Sequence, residues 1–317
     1  MTLRLSVDSK SWHLHIHDTA KSFEDLIPVV KGNGYGFGRS TLMSHAASLA
    51  KEIAVGTVFE AHDVPATCTA IVLTPAGVEM PETLPETAIL TVGSVQHVEN
   101  LRLNSWRGQV IIKLRSSMNR YGADATELAD LKDAIANSGL TQVGWAIHPP
   151  LDGNTNDHLA EIKTWMLQIS SDLPWFVSHI DASGIKQLRQ EFTKNKIRAR
   201  SGTALWLGDK SMTHLTADVL DLRTIKQGDT AGYRNVKIKQ DGTIAMIGAG
   251  TSHGVNPVAS ELSPFHFNQM RLELVEPSHM HTSMVFIHVD DKLPKVGDCV
   301  DVQQPLTRVY PDCITWK

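Results

Sequence analysis

Short apolar runs alternate with longer mixed segments through the first two thirds of the chain. The runs cover residues 26–30, 53–58, 70–74, 88–92, 110–114, 143–147, 175–177 and 197–200. Each is short, most are rich in β-branched or aromatic residues, and each reads as a buried strand. Between several of them lie stretches with helical spacing, at 40–51, 125–137 and 158–171. Strand–helix alternation of this kind predicts an α/β fold, either a parallel (β/α)8 barrel of the TIM type or a doubly wound open sheet. Periodicity alone leaves that choice open. After about His214 the texture changes. Segments 217–223, 231–238, 243–247, 270–274, 283–289 and 299–302 are β-branched or alternating, with turns such as Gln240-Asp241-Gly242 between them. Strands at this spacing predict a smaller all-β C-terminal domain. The expected division is 11–214 for the α/β part and 215–317 for the β domain, with residues 1–10 packing on the latter.

Polar residues with chemistry in them gather where the strands end. Lys31, Lys113, His148, His179 and Arg200 all fall at such ends, and in barrels functional groups sit at the C-terminal mouth. The segment Pro28-Val29-Val30-Lys31-Gly32-Asn33-Gly34-Tyr35-Gly36-Phe37-Gly38 is the most informative. A lysine at the mouth of a buried strand is costly unless its amine is paired or used covalently. The glycines after it allow a tight turn and close approach to a ligand. A Schiff-base lysine needs both features, although a strand-ending surface lysine before a turn would give the same string. Ser183-Gly184 at a helix start would offer a hydroxyl and free N–H groups to an anion.

Composition narrows the partners. With 30 basic and 34 acidic residues the charge is near balance, which gives no footprint for nucleic acid or an anionic membrane. No apolar run approaches the ~20 residues that span a bilayer, and the first 17 residues lack the continuous apolar core of a signal peptide. Cys68, Cys299 and Cys313 are scattered singly without metal-like pairing. A reducing, cytoplasmic location is the expectation.

The lysine segment resembles the pyridoxal-phosphate motif of the alanine racemase family, V-V-K-A-N-A-Y-G-H-G. Further motifs follow in the family's order. Lys113-Leu114-Arg115-Ser116-Ser117-Met118-Asn119-Arg120-Tyr121-Gly122 is similar to K-x-D-T-G-M-x-R-L-G, and Gly144-Trp145-Ala146-Ile147-His148 to a strand ending in T-H-F. His179-Ile180-Asp181-Ala182-Ser183-Gly184 is similar to H-x-A-N-S-A, Arg200-Ser201-Gly202-Thr203-Ala204-Leu205-Trp206 to R-P-G-I-A-L-Y-G, and the stretch ending Ala231-Gly232-Tyr233 to a strand turn of the β domain. The resemblance implies a (β/α)8 barrel followed by the β domain, pyridoxal 5'-phosphate as cofactor, an amino-acid substrate and a homodimer. By the same resemblance Lys31 carries the cofactor and acts as one base. Tyr35, Ser183, Gly202 and Thr203 hold its phosphate, and His148 lies beneath the ring. Arg200 faces the pyridine nitrogen and Arg120 grips the substrate carboxylate, positioned by Lys113, which is often carbamylated in the family.

The pattern breaks around the substrate. The tyrosine of I-G-Y-A-D-G, which serves the opposite face in the family, falls on Ala249 or Thr251 in Ile247-Gly248-Ala249-Gly250-Thr251-Ser252-His253-Gly254. His253, in the same loop, is the expected replacement base, since imidazole titrates near neutrality. His279-Met280-His281-Thr282-Ser283-Met284 replaces x-M-D-Q-C-M, so that His281 stands where the family has an acid. The expected function is a pyridoxal-phosphate-dependent amino-acid racemase or epimerase, an isomerase. A decarboxylase or lyase, which needs one base, and a non-catalytic pyridoxal-phosphate-binding protein are the alternatives.

Overall fold

The computed structural model describes residues 2–259 and 262–317. Two compact units emerge. One joins the N-terminal segment through Leu14 with Asn33–Gly38 and Gly208–Lys317, and the other consists of His15–Gly32 and Arg39–Leu207. The glycine loop after Lys31, read from the sequence as part of the barrel, thus groups with the β unit.

The chain begins with β1 (Leu3–Val7) and α1 (Ser9–Phe23). Eight parallel strands then follow: β2 (Leu26–Pro28), β3 (Glu52–Val55), β4 (Thr69–Val72), β5 (Ile89–Val92), β6 (Gln109–Lys113), β7 (Thr141–Ala146), β8 (Trp175–Val177) and β9 (Ile197–Ser201). Their order, β2-β9-β8-β7-β6-β5-β4-β3, is that of a nearly closed barrel. The seam between β2 and β3 is thin. It consists of the Val29–Ala54 bridge and the bond from the Val30 N–H to the Ala54 carbonyl at 2.8 Å. The barrel of the resemblance is therefore the architecture observed, rather than the open sheet.

Helices α2 (Arg39–Leu49), α3 (Val95–Leu103), α4 (Leu128–Ala136), α5 (Thr155–Gln168), α6 (Ala182–Glu191) and the short α7 (Thr203–Trp206) connect the strands. The alternation is incomplete, because β3 leads into a 3-10 turn at Val58–Asp63 and residues 73–88 after β4 contain no helix. Helix ends follow from local chemistry. The Asn154 side chain caps α5 by accepting from the N–H groups of Asn156 and Asp157, and Asp157 returns a bond to Asn154.

One face of each strand fills the barrel. Ile27, Val29, Ala54, Ile71, Ile89, Ile111, Ala146 and Phe176 form one buried cluster. Register places Ile27 opposite Arg200 and Phe176 opposite Arg198. Both arginines of β9 therefore share the inward face, since strand residues two apart point the same way. Arg198 bonds to Glu52 at 2.7 and 3.0 Å and to Asp25 at 2.8 and 3.1 Å.

The β unit contains a nine-stranded sheet built on β10 (Thr213–Ile225). The other elements are β11 (Thr230–Ala231), β12 (Val236–Lys237), β13 (Gly242–Ile247), β14 (Phe265–Phe267), β15 (Met270–Arg271), β16 (Glu273–Leu274), β17 (Ser283–His288), β18 (Cys299–Val302) and β19 (Cys313–Trp316). The start of β10 pairs with β1 and β18, and its later part with β13 beyond a bulge at Val219–Asp221. Two segments read as single strands are divided. Residues 231–238 contribute to the β11–β12 hairpin, and 270–274 splits into β15 and β16, which pair with β14 and β17 respectively.

Arg198→Ala is expected to lower stability by about 2 kcal/mol, read as a shifted denaturation midpoint at unchanged m value. Burial raises the Asp25 pKa, but bonds from Arg198 and Lys196 outweigh it and hold the carboxyl below its ordinary value. That stabilisation is complete above the unfolded carboxylate pKa near ~4 and is lost as pH falls through the folded value. The wild-type advantage is therefore expected to shrink in acid.

Candidate active site

Lys31 follows directly on the strand end that closes the seam. Much of its side chain is exposed, but the amine end is desolvated by the barrel wall. This lowers its pKa, and the charges of Arg120 and Arg200 lower it further, while Glu60 opposes them. Glu60 also holds the backbone beneath the lysine. Its carboxylate accepts from the Gly32 N–H at 3.0 Å and the Gly56 N–H at 2.6 Å.

Arg200 is buried. Its Nη2 donates to the Ile147 carbonyl at 2.8 Å and to the Ser178 hydroxyl at 3.1 Å, while its Nε is buried with no partner among the described residues. Burial pushes its pKa down to about 10, a shift that Tyr121 opposes and Arg120 reinforces, so it is charged at neutral pH. Ser178 Oγ lies 2.6 Å from His148 Nδ1. Arginine can only donate, so the serine accepts from Arg200 and gives its own proton to Nδ1. This fixes the neutral His148 tautomer with hydrogen on Nε2. Burial, then the charges of Arg200 and Lys113, hold the His148 pKa far below the ordinary imidazole value. His179 packs on the His148 ring at 4.3 Å between centroids and donates through Nδ1 to the carbonyls of Pro149 and Pro150 at 3.0 Å each.

Lys113 ends β6 and is 4% exposed. No described residue forms an ion pair or hydrogen bond with its amine, and burial together with Arg200 and Arg120 drives its pKa well down. Arg120 lies on an exposed loop, its guanidinium 4.6 Å from the Tyr121 ring centre. That loop folds back so that Ala123 bridges Leu114. At Gly122 a Cβ would lie 2.6 Å from the Leu114 carbonyl carbon, which is why only glycine fits there.

Gly202 and Thr203 open α7, whose first N–H groups have no intrahelical acceptor. Ser183 is placed differently from the expectation. Its hydroxyl donates to Asp181 Oδ1 at 2.7 Å, and the same oxygen takes the Gly184 N–H at 2.8 Å.

Two expected site residues belong to the β unit. Tyr35 is buried in the left-handed region at φ +54°. Its loop is fixed by Asn33, which donates to the Leu306 and Val309 carbonyls at 2.9 and 2.7 Å. At Gly36, with φ +91°, a Cβ would meet the Leu306 carbonyl oxygen at 2.9 Å. His253 is 7% exposed. Its Nδ1 accepts from the Gly250 N–H at 3.1 Å and its Nε2 faces Asp312 at 3.3 Å. Burial works to raise the Asp312 pKa, but bonds from Thr2 and Leu3 with the His253 interaction hold it at about 2. With both nitrogens engaged, His253 ties its loop to Asp312 and has no free nitrogen for a substrate. That engagement weighs against His253 as the opposite base. His281, exposed, keeps one nitrogen without a hydrogen-bond partner among the described residues. The Ser252 hydroxyl donates to the Met280 carbonyl at 2.6 Å, so His281 Nδ1 donates to Ser252 Oγ at 2.9 Å and Nε2 keeps its lone pair.

A sequence profile of the alanine racemase N-terminal domain matches residues 14–209. The chain belongs to that family. Among solved structures it is similar over its whole length to alanine racemase from Bartonella henselae with covalently bound pyridoxal phosphate, with a TM-score of 0.75 and 21% identity over 100% of both chains. Biosynthetic alanine racemase from Pseudomonas aeruginosa is similar at TM-score 0.73 and 18% identity, covering 100% of this chain and 99% of that one. For alanine racemase from E. faecalis the values are 0.72 and 16%, covering 99% and 98%. At these identities the likeness shows the fold. A comparison with curated proteins gave no match.

The residues present fit the family's group in most respects. The orphaned Arg200 Nε, the desolvated Lys31 amine and the open start of α7 suit a flat, anionic ligand, whereas Ser183 is already engaged. Three contributors escaped the sequence reading. Ser178 is the proton link between Arg200 and His148. Glu60 lies two residues beyond the apolar run at 53–58, a placement that could have marked it. Asp181 caps α6.

Lys113→Met is expected to raise the thermal midpoint. The folded pKa of this lysine is lowered, so the cost of its charge is full below that value and fades as pH rises toward the unfolded ~10.4. The gain should be larger at pH 6 than at pH 9.5, and calorimetry at the two values checks it.

Proposed function

We propose that this chain is a pyridoxal-phosphate-dependent enzyme that racemises or epimerises an amino acid. The reading is supported above all by the Lys31 amine, whose pKa is lowered by burial and by Arg120 and Arg200, with no ion-pair partner among the described residues. Lys31 would hold the cofactor covalently, Arg200 and His148 its ring, and Tyr35, Gly202 and Thr203 its phosphate. When bound, the cofactor withdraws electrons from the amino acid's α-carbon and so makes the α-proton acidic. Arg200 donates a hydrogen bond but keeps its proton, and His148, held neutral, adds no charge beneath the ring. Arg120, on its exposed loop, would grip the substrate carboxylate. A lowered pKa leaves more of the Lys31 amine free to take the α-proton on one face. For the other face we infer His281 as the base in place of His253, since its Nε2 has no hydrogen-bond partner among the described residues. We propose a homodimer, on the resemblance alone, and a cytoplasmic setting, on the singly scattered cysteines.

The engagement of His253 favours one second reading, a one-base decarboxylase or lyase. Proton NMR of L- and D-amino acids with the cofactor-loaded protein in deuterated water separates the two. Loss of the α-proton signal with appearance of the opposite enantiomer is expected. His281→Ala should slow exchange from one enantiomer by about 100-fold without slowing it from the other, whereas His253→Ala should lower stability. Exchange with retained configuration throughout would leave the one-base reading standing. Covalent aldehyde binding at full occupancy by Lys31→Ala would overturn the lysine assignment.

A further inference from the structure

The last two strands of the barrel, β8 and β9, are hydrogen-bonded neighbours. The loops that follow them therefore emerge side by side at the C-terminal mouth and lead into α6 and α7. Barrels of this kind often seat a phosphate on the loops after their last two strands and on a short helix there. Helix N-termini suit this because their first N–H groups lack partners and their dipole favours negative charge.

In this chain the α6 end already contains an anion. Asp181, in extended conformation at the N-cap, accepts from the Gly184 N–H at 2.8 Å and the Ser183 hydroxyl at 2.7 Å through one oxygen. Its other oxygen accepts from the Thr155 hydroxyl at 3.2 Å. These bonds, that from Gly184 first, hold the carboxyl below its ordinary pKa, so it is ionised at neutral pH. No cation among the described residues pairs with it. An incoming phosphate would meet a serine hydroxyl turned away, a helix N–H already taken and a like charge.

We propose that Asp181 is a specificity-determining residue, an internal substitute for the phosphate at α6 that leaves phosphate recognition in the barrel to the α7 side. The inference rests on the cofactor reading above. Its consequence is weak discrimination between pyridoxal phosphate and pyridoxal, which share the aldehyde and ring and differ only in the phosphate.

Asparagine tests this with little disturbance, because it caps helices as well as aspartate and lacks the charge. The measurement is the affinity of wild type and Asp181→Asn for pyridoxal phosphate and for pyridoxal, followed by the absorbance of the covalently held aldehyde. Asp181→Asn is expected to tighten pyridoxal phosphate by about tenfold and leave pyridoxal unchanged, the size of one charge effect at a partly exposed site. A phosphate-to-pyridoxal affinity ratio that stays within about twofold in Asp181→Asn, or that falls, overturns the proposal while leaving the cofactor reading intact. A wild-type chain that binds neither aldehyde overturns both.

Discussion

Uncompensated positive charge is the constraint on which the barrel mouth depends. Lys31, Lys113, Arg120 and Arg200 act on one another's charge, and none of the four forms an ion pair among the described residues. The two arginines of β9 make the contrast plain. Arg198 is matched by Asp25 and Glu52. Arg200, two residues on and on the same face, has a carbonyl and a hydroxyl for partners and an Nε with none. A buried cation left this way is costly. The cost makes sense where an anionic ligand offsets it.

The neighbouring groups follow from that charge. His148 cannot take a proton beside Arg200 and Lys113, and the Ser178 hydroxyl sets which of its nitrogens carries hydrogen. His179 adopts a left-handed backbone at φ +61° and fastens the prolines after His148. Glu60 is the counterweight. It moderates the repulsion at Lys31 while its hydrogen bonds keep it on backbone N–H groups, short of neutralising the amine.

Most of the barrel strands were legible because they are short apolar runs with a polar residue at the end, and the mouth residues were legible for the same reason. The helices were less so. The stretch at 73–88 has the length for one but no apolar periodicity, and it folds as a loop. Pairings between distant segments leave no local trace. β1 pairs with β10 and in parallel with β19, partners hundreds of residues away, and a run of single-sequence pattern does not encode that. His253 and Ser183 were singled out as polar residues in these loops, but their bonds go to Asp312 and Asp181. Composition says nothing about which acceptor a side chain will find.

The glycine loop gives the fold an unusual inheritance. Residues 33–38 sit beside the barrel lysine in sequence, yet they are anchored to the β unit by Asn33 on the Leu306 and Val309 carbonyls and by Gly36 against Leu306. The two parts of the chain are therefore not interchangeable modules. A β domain exchanged between relatives would arrive without the six-residue loop that its own surface was shaped to hold. The loop and the Leu306–Val309 region must vary together, so that drift in a distant C-terminal segment is constrained by the residues next to the lysine.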